Sequence, residues 1–503
     1  MQRRDVPKVL LASAADTALP ARKSAPPGCA APCYVPTTAE LSAGVQPFNL
    51  EYSPGEVLRY GADPAGVKDS TAAFNAALLG NSHALAAHAG TYRIDGTIVI
   101  DQQQELYMWR GVKLQRQSSH SNATAPLVHL KGLYAVCRGG LIETENDAPG
   151  GVVCCGHFDT TTSSWNAFWW HLADCDINCK DYLGEAEPIA IQSVTRASPA
   201  VVSTAPRAHG FATGQWVIIR DAEGMEELNQ NVYRVGAVTA TTFELAGNGV
   251  TSAGPIDSRS YHAYSCAGTV RAYPHESQCI GVYVPSSQPV LGNRCANYYG
   301  KITNVHVQSA TSAFWLTDIA NGHQLANINW NGFYWNGLVL QGSYGNRAIL
   351  GFCDGGYMNG VIGIYLRERA SPKAAHASSL GASRNHVMGG TFEFGSSGGF
   401  GCYVSQDGRC TNNFIEFAFN TRGTILQDAG CGNVVMETKM PLMGPALTLT
   451  AATPTGAGTN VSLGNSTAES ANTGGAAALP ARPAGYWTID VGGSKRKIPY
   501  YLP

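Results

Sequence analysis

Apolar and polar residues alternate along most of this chain in runs of about four to eight, the pattern of half-buried strands. Long helical periodicities are scarce. One short helix is predicted near the start, where Phe74, Ala77 and Leu78 share a face. Asp69 or Ser70 can cap it, and Gly80 is a natural stop. Residues 90–100 then read as two short strands. Before the helix, residues 1–50 carry Pro20, Pro26, Pro27, Pro32, Pro36 and Pro47, and read as a possible signal and linker. Near the end, residues 444–484 are rich in Ala, Gly, Thr and Pro, and read as a connector. Residues 485–501 have a hairpin pattern with Gly492 and Gly493 at the turn.

A repeat is visible in the second half. Gln406, Asp407, Cys410, Asn412 and Glu416 recur as Gln427, Asp428, Cys431, Asn433 and Glu437, an offset of 21 residues. Asn293 to Asn297 echoes the same turn. A looser match aligns Asn346–Asp354 with Asn385–Glu393, and each continues through glycine into an apolar run, 362–366 and 400–404. Such a period suits one solenoid coil per repeat, because a single coil cannot bury its inner face. Stacked coils would hold equivalent residues roughly 4.8 Å apart, and the turn asparagines would exchange side-chain amide bonds.

Two stretches resemble known families. Residues 59–78, RYGADPAGVKDSTAAFNAAL, resemble the opening of the pectate-lyase superfamily domain shared by phage tailspikes and polygalacturonase-related proteins. The resemblance implies a right-handed parallel β-helix, an all-β solenoid whose first rung is plugged by an N-terminal capping helix. An open parallel edge would otherwise invite aggregation. Residues 190–272, with strings such as 209–219 and 241–245, resemble the FCCH-type β-barrel module of ubiquitin-activating enzymes. The expected organisation is β-helix over 51–189, inserted small β-barrel over 190–272, β-helix over 273–443, and connector with C-terminal hairpin over 444–503. The first resemblance also implies business with polysaccharide: a glycoside hydrolase or lyase, or alternatively a non-catalytic glycan-binding adhesin or spike. It implies a homotrimer as well, since a lone hairpin is marginal in water and must dock somewhere.

Charge narrows the partners. Lys and Arg number 34 against 36 Asp and Glu, for a net charge of −2, so no basic balance points to nucleic acid or anionic membrane. No apolar run is long enough for a membrane span. Arg3 and Arg4, followed by a short apolar stretch, resemble a twin-arginine export signal, which suggests an exported protein; a virion tail is the other location. Of the 14 cysteines, Cys29 and Cys33 are the best local candidates for a disulfide, and most others read as small core residues. No Cys/His spacing suggests a metal, and no cofactor motif is present.

The chemistry must then come from carboxylates. Glycoside hydrolysis needs two, about 5–5.5 Å apart for a nucleophilic mechanism or about 6.5–9.5 Å apart to admit a water. Asp354 and Glu393 each lie eight residues after a turn asparagine, and Glu416 and Glu437 four after it. These are the candidate catalytic residues; the competing reading is a solvent-facing carboxylate on the outer wall. Sugar rings stack on aromatic faces, and the clusters Trp165, Phe168, Trp169, Trp170 and Trp330, Phe333, Tyr334, Trp335 offer them, although core packing competes. Trp330, Trp335 and Arg347 are the candidate substrate-binding residues. A lyase would need a base such as Arg347, Arg367, Arg369 or Arg384.

Overall fold

The computed structural model describes residues 34–156, 167–249, 254–285, 297–317, 320–368, 381–394, 399–404, 410–419, 433–439, 461–463, 485–491 and 494–500. Arg3 and Arg4, Cys29 and Cys33, Trp165, Arg369, the turn at 492–493 and most of 444–484 lie outside them. The predicted helix forms over Thr71–Gly80 and buries Phe74, Ala77 and Leu78. Asp69, not Ser70, accepts the first free amide, from Thr71 at 3.0 Å. Gly80 remains helical, and a β-carbon there would lie 3.2 Å from Glu40. Residues 34–50, read above as linker, instead pack onto this cap. Thr37 and Glu40 form a capping box around the short helix Thr38–Ser42. Glu40 is fully buried and pairs with the equally buried Arg59 at 2.7 Å.

Beyond the cap the chain winds as a right-handed parallel β-helix. One sheet runs from His83–Ala86 to Val461–Leu463, and a second of eight strands runs from Ile98–Ile100 to Phe400–Val404. A third, short sheet joins Ala167–Phe168, Asn297–Tyr298 and Ala320–Asn321. Strands 362–367 and 400–404 pair in register, as do 347–354 and 386–393. Inward residues form one continuous core from Val57 to Val435.

The turns into the later strands of the first sheet carry a buried ladder. The Asn346 amide nitrogens donate to Asn385 Oδ1, those of Asn385 to Asn413 Oδ1, and those of Asn413 to Asn433 Oδ1, all within 2.9–3.1 Å. His323 continues it below, taking the Gly300 amide at 3.0 Å and giving its own to Asn346. Burial pushes the His323 imidazole down to about 4, so it stays neutral and able to accept. Successive ladder residues are 23, 23, 39, 28 and 20 apart, so a period near 20 holds only for the last coil. Asn297 is not a member of the ladder. It is buried three residues earlier, where it takes the Trp170 indole hydrogen at 2.7 Å and donates to Cys155 and Pro285 carbonyls.

Between the strands Asp176–Asn178 and Ile280–Val284 the chain leaves the solenoid for a seven-stranded antiparallel sheet with a core of its own. Its edge strands, Ile189–Ala190 and Ser193–Val194, are nearly continuous in sequence. Ile191 donates to Gly268 on one side and Gln192 to Ser203 on the other, which closes the sheet into a barrel. The barrel docks firmly on the coils. Trp335 packs edge-to-face on Trp216 and Tyr273, and Tyr273 donates to the Tyr334 carbonyl at 2.7 Å. Among the described cysteines only Cys266 is exposed. At the far end, strands Gly485–Val491 and Ser494–Tyr500 pair with each other.

Candidate functional site

A kink in the long strands creates the main groove. In Lys301–Gln308 the inward residues are Ile302, Val305 and Val307, so the alternation slips at Asn304, which adopts φ 52°. The same slip recurs at Asn327 (φ 52°) and Asp174 (φ 55°), and at glycines 111, 139 and 389. Left-handed backbone favours Gly, Asn and Asp, and those are the residues found there. The slip folds one strand into two outward walls. Tyr107, Arg138, Ala173, Thr303, Ala326 and Ile349 stack along the first wall in register. Lys113, Leu141, Asp176, His306 and Asn329 stack along the second. At its early end the groove is a concavity of about 850 Å³ lined by Tyr107, Trp109, Lys113, Arg138, Asp174 and Asp176.

Exposed apolar side chains stand at both ends of these two walls. Tyr107 and Trp109 are 42% and 50% exposed at one end, Ile349 and Phe352 51% and 52% at the other. Five coil steps separate Tyr107 from Ile349, roughly 24 Å of path. Polar groups fill the middle. Asn304 donates to Asp174 Oδ1 at 2.8 Å, and Asn327 donates to Asn304 at 3.0 Å. Arg138 lies over the Tyr107 ring and pairs with Glu105 at 2.8 Å. Burial raises the Glu143 carboxyl, but Lys113 at 2.6 Å, with Asn178 and Gln115, outweighs it and holds the group below its ordinary range. Glu143 is thus a fixed anion. Burial, and then the charges of Lys301 and Arg138, lower His171, which is neutral at pH 7.

The candidate acids differ in how they stand. Asp354 and Glu393 are directly opposed on adjacent coils. They end a polar column that runs through Gln115, Glu143, Asn178, Gln308 and Asn331. Both are half-buried, and Asp354 shares its outward face with the exposed Phe352. Glu416 and Glu437 are not partners. The coils pair with an offset one residue shorter than the letters suggest, so Glu416 faces Met436 and Glu437 faces Phe417. The side chain of Glu437 lies outside the described residues.

The two tryptophans are not available to a sugar. Trp330 is 1% exposed, inside the coil, stacked on Phe392 at 5.9 Å. Trp335 is 4% exposed and donates to the Pro274 carbonyl at 2.7 Å beneath the barrel. Inward alternation explains the first, and the barrel's footprint the second. Arg347 is exposed at the start of its strand, two residues before Ile349, on the flank of the groove. Tyr107, Trp109, Arg138, Asp174 and Asp176 were not identified from sequence. The readable signal was Tyr107 and Trp109 two apart, ahead of Gly111.

Comparison with known proteins places one segment. The ubiquitin-activating enzyme E1 FCCH domain matches residues 197–273. No curated protein matches the chain. Among solved structures, tailspike protein 2 of bacteriophage CBA120 is similar at 11% identity and TM-score 0.34 over 83% of this chain. The Dettilon tailspike follows at 11% and 0.32 over 76%, and PfbA, a surface adhesin of Streptococcus pneumoniae, at 9% and 0.33 over 82%. The matched region spans 46% and 62% of the two tailspike chains and 100% of the adhesin chain. At these values the likeness carries no weight for function, and the fold stands on the strand order itself.

Proposed function

We propose that this protein binds a polysaccharide along the kinked groove and hydrolyses it with Asp354 and Glu393. The observation that carries the reading is their direct opposition on adjacent coils, on the outward face next to exposed Phe352. Neighbouring strands lie about 4.8 Å apart, close to the spacing of about 5–5.5 Å that suits a retaining mechanism. One carboxyl, entering protonated, gives its proton to the glycosidic oxygen as the bond to the anomeric carbon breaks. The other carboxylate attacks that carbon and forms a glycosyl ester. The first, now ionised, takes a proton from water as the water displaces the ester, which restores both groups.

The decisive experiment is release of reducing ends from a panel of bacterial surface and plant polysaccharides, with Asp354→Asn and Glu393→Gln as controls. Full activity in either variant would remove that residue from the mechanism. A binding-only reading is favoured by the aromatic pair Tyr107 and Trp109, which sits far from both acids. It would stand if glycan bound and no reducing ends or unsaturated products appeared. The self-paired hairpin near the C-terminus supports a trimeric spike, on a virion or exported, in which it docks on a neighbour. A monomer in sedimentation at micromolar concentration would reject the trimer.

A further inference from the structure

We infer that the corner of the β-helix beside the groove is a second glycan subsite, one that selects an acidic sugar. The inference rests on the polysaccharide reading and adds the class of polymer. The corner is a column of residues one position before the inner ladder: Gln103, Tyr134, Trp169, Tyr299, Gly322, Gly345, Arg384 and Asn412. All have φ between 54° and 67°. The Tyr134, Trp169 and Tyr299 amides each donate to a carbonyl in the next coil, which fixes the column. Left-handed backbone costs a bulky residue about 1–3 kcal/mol. Gly or Asn would sit there more easily, as they do further along, so backbone preference did not put three aromatic rings in a row.

The rings form a staircase open to solvent. Tyr134 and Trp169 stack at 5.2 Å and 12°, and Trp169 and Tyr299 at 6.1 Å and 19°. They are 49%, 46% and 54% exposed. The staircase ends at Tyr299, which leans over Gly322: a β-carbon there would lie 3.0 Å from the ring. Beyond it, a β-carbon at Gly345 would meet nothing within 4 Å. The ring face of Tyr299 therefore opens onto a step with no side chain, and Arg384 stands on the far side of that step.

The strands leaving this corner supply the charge. Lys301, Gln324 and Arg347 are exposed and stacked in register. No ion pair is made by Lys301, Arg347 or Arg384 among the described residues. The corner column and the next two outward columns contain no carboxylate from Tyr299 to Met388. In a chain of net charge −2, three cations spread over four successive coils, without an ion pair among the described residues, mark an anion site. A sugar lying with its C–H face on Tyr299 would hold its ring substituent towards these cations. Arg347 and Arg384 offer forked donors that match a carboxylate or sulfate.

The test is binding of the full chain to hyaluronate and alginate (carboxylate), dextran sulfate (sulfate), dextran and pullulan (neutral), and single-stranded DNA. Three variants are compared with the parent: Lys301→Gln/Arg347→Gln/Arg384→Gln, Tyr299→Asn, which tolerates the left-handed backbone, and Trp109→Ala. Melting curves check that each folds. The expected result is binding of acidic polysaccharides and not neutral ones, at least tenfold weaker in the triple variant and weakened in Tyr299→Asn. The carboxylate and sulfate polymers then tell which anion is preferred. Acidic polymers held equally by parent and triple variant would overturn this subsite and leave the groove reading intact, as would binding of neutral polymers alone. DNA bound as tightly as the acidic glycans would overturn it too. Loss in the triple variant with none in Trp109→Ala would keep the subsite and count against the groove. Binding to nothing in the panel would overturn both.

Discussion

In the turns before the later strands Asn346, Asn385, Asn413 and Asn433 are stacked and buried, whereas at the kink inside two earlier strands Asn304 and Asn327 are stacked and exposed. Both sets use the side-chain amide to reach the next coil. The inner set has every bond satisfied by protein, because an unmade bond there would leave a dry polar group at about 1–3 kcal/mol. The outer set is bonded loosely, with Asn329 reaching Asn327 at 3.2 Å, and water can replace any of it. One residue type in one repeat is thus structural on one side of the strand and free for a ligand on the other. Burial, not identity, separates the two.

The contrast can be broken most sharply at the outward acids. Asp354→Asn and Glu393→Gln should each lower turnover by about a hundredfold or more. Both should leave the melting temperature nearly unchanged, and the double variant should be little worse than either single one. Steady-state rates beside melting curves check this; a large loss of stability would mark the pair as part of the wall. Asn385→Ala is the opposite case. It strips the acceptor from two Asn346 donors, and takes the side-chain donor away from Asn413 Oδ1 and from the Ser343 carbonyl. We expect a loss of about 3 kcal/mol or more in urea unfolding, with glycan affinity per folded molecule unchanged.

How much of this was legible in the sequence depends on the same contrast. The coil repeat and the pairing of Asn346–Asp354 with Asn385–Glu393 could be read because buried ladders demand the same residue at each turn. The capping helix and the barrel could be read because each carries a long string of local signals. The groove could not. Its kink is filled by Gly, Asp or Asn with equal ease, so no one letter repeats, and its walls mix Tyr107, Arg138, Ala173 and Thr303 in a single column. Trp330 and Trp335 misled because cluster and composition do not report direction. The residues around each tryptophan suit a coil interior as well as a sugar platform. The slipped offset between Glu416 and Glu437 came from aligning letters across a loop whose length differs by one from the strand register.

A charged version of the inner ladder sits in the cap. Burial would raise Glu40, yet Arg59, the Thr37 amide and Tyr60 together hold it down at about 2. A carboxyl lowered from 4.5 contributes stability that is complete above that value and is lost as pH falls towards 2. The difference amounts to about 3 kcal/mol. Unfolding midpoints measured between pH 5 and pH 2 should fall over that window, and Glu40→Gln should remove this component of the fall. The exposed Asp176, beside His306 at 3.7 Å, should contribute little, since surface pairs are worth about 0–1 kcal/mol.

The smallest effect tests the outer ladder itself. Asn327→Ala would confuse two causes, because alanine pays for left-handed backbone while also losing the amide. Asn327→Gly separates them. Glycine accepts φ 52° freely, and the chain already uses it at the same kink in Gly139 and Gly389. The substitution removes one exposed bond to Asn304 and the 3.5 Å contact that Asn329 makes to Oδ1, while the Asn329 bond to the main-chain carbonyl stays. Stability should therefore change by less than about 0.5 kcal/mol. If the kink is the floor of a glycan groove, affinity should still fall several-fold, since one ligand hydrogen bond is worth about 0.5–1.5 kcal/mol. Calorimetric titration with whichever polysaccharide the panel identifies reads the affinity, and urea unfolding reads the stability. Unchanged affinity with unchanged stability would mean that the outer asparagines face only water at this coil. The bound chain would then have to run along the Asp354 column or the aromatic corner instead.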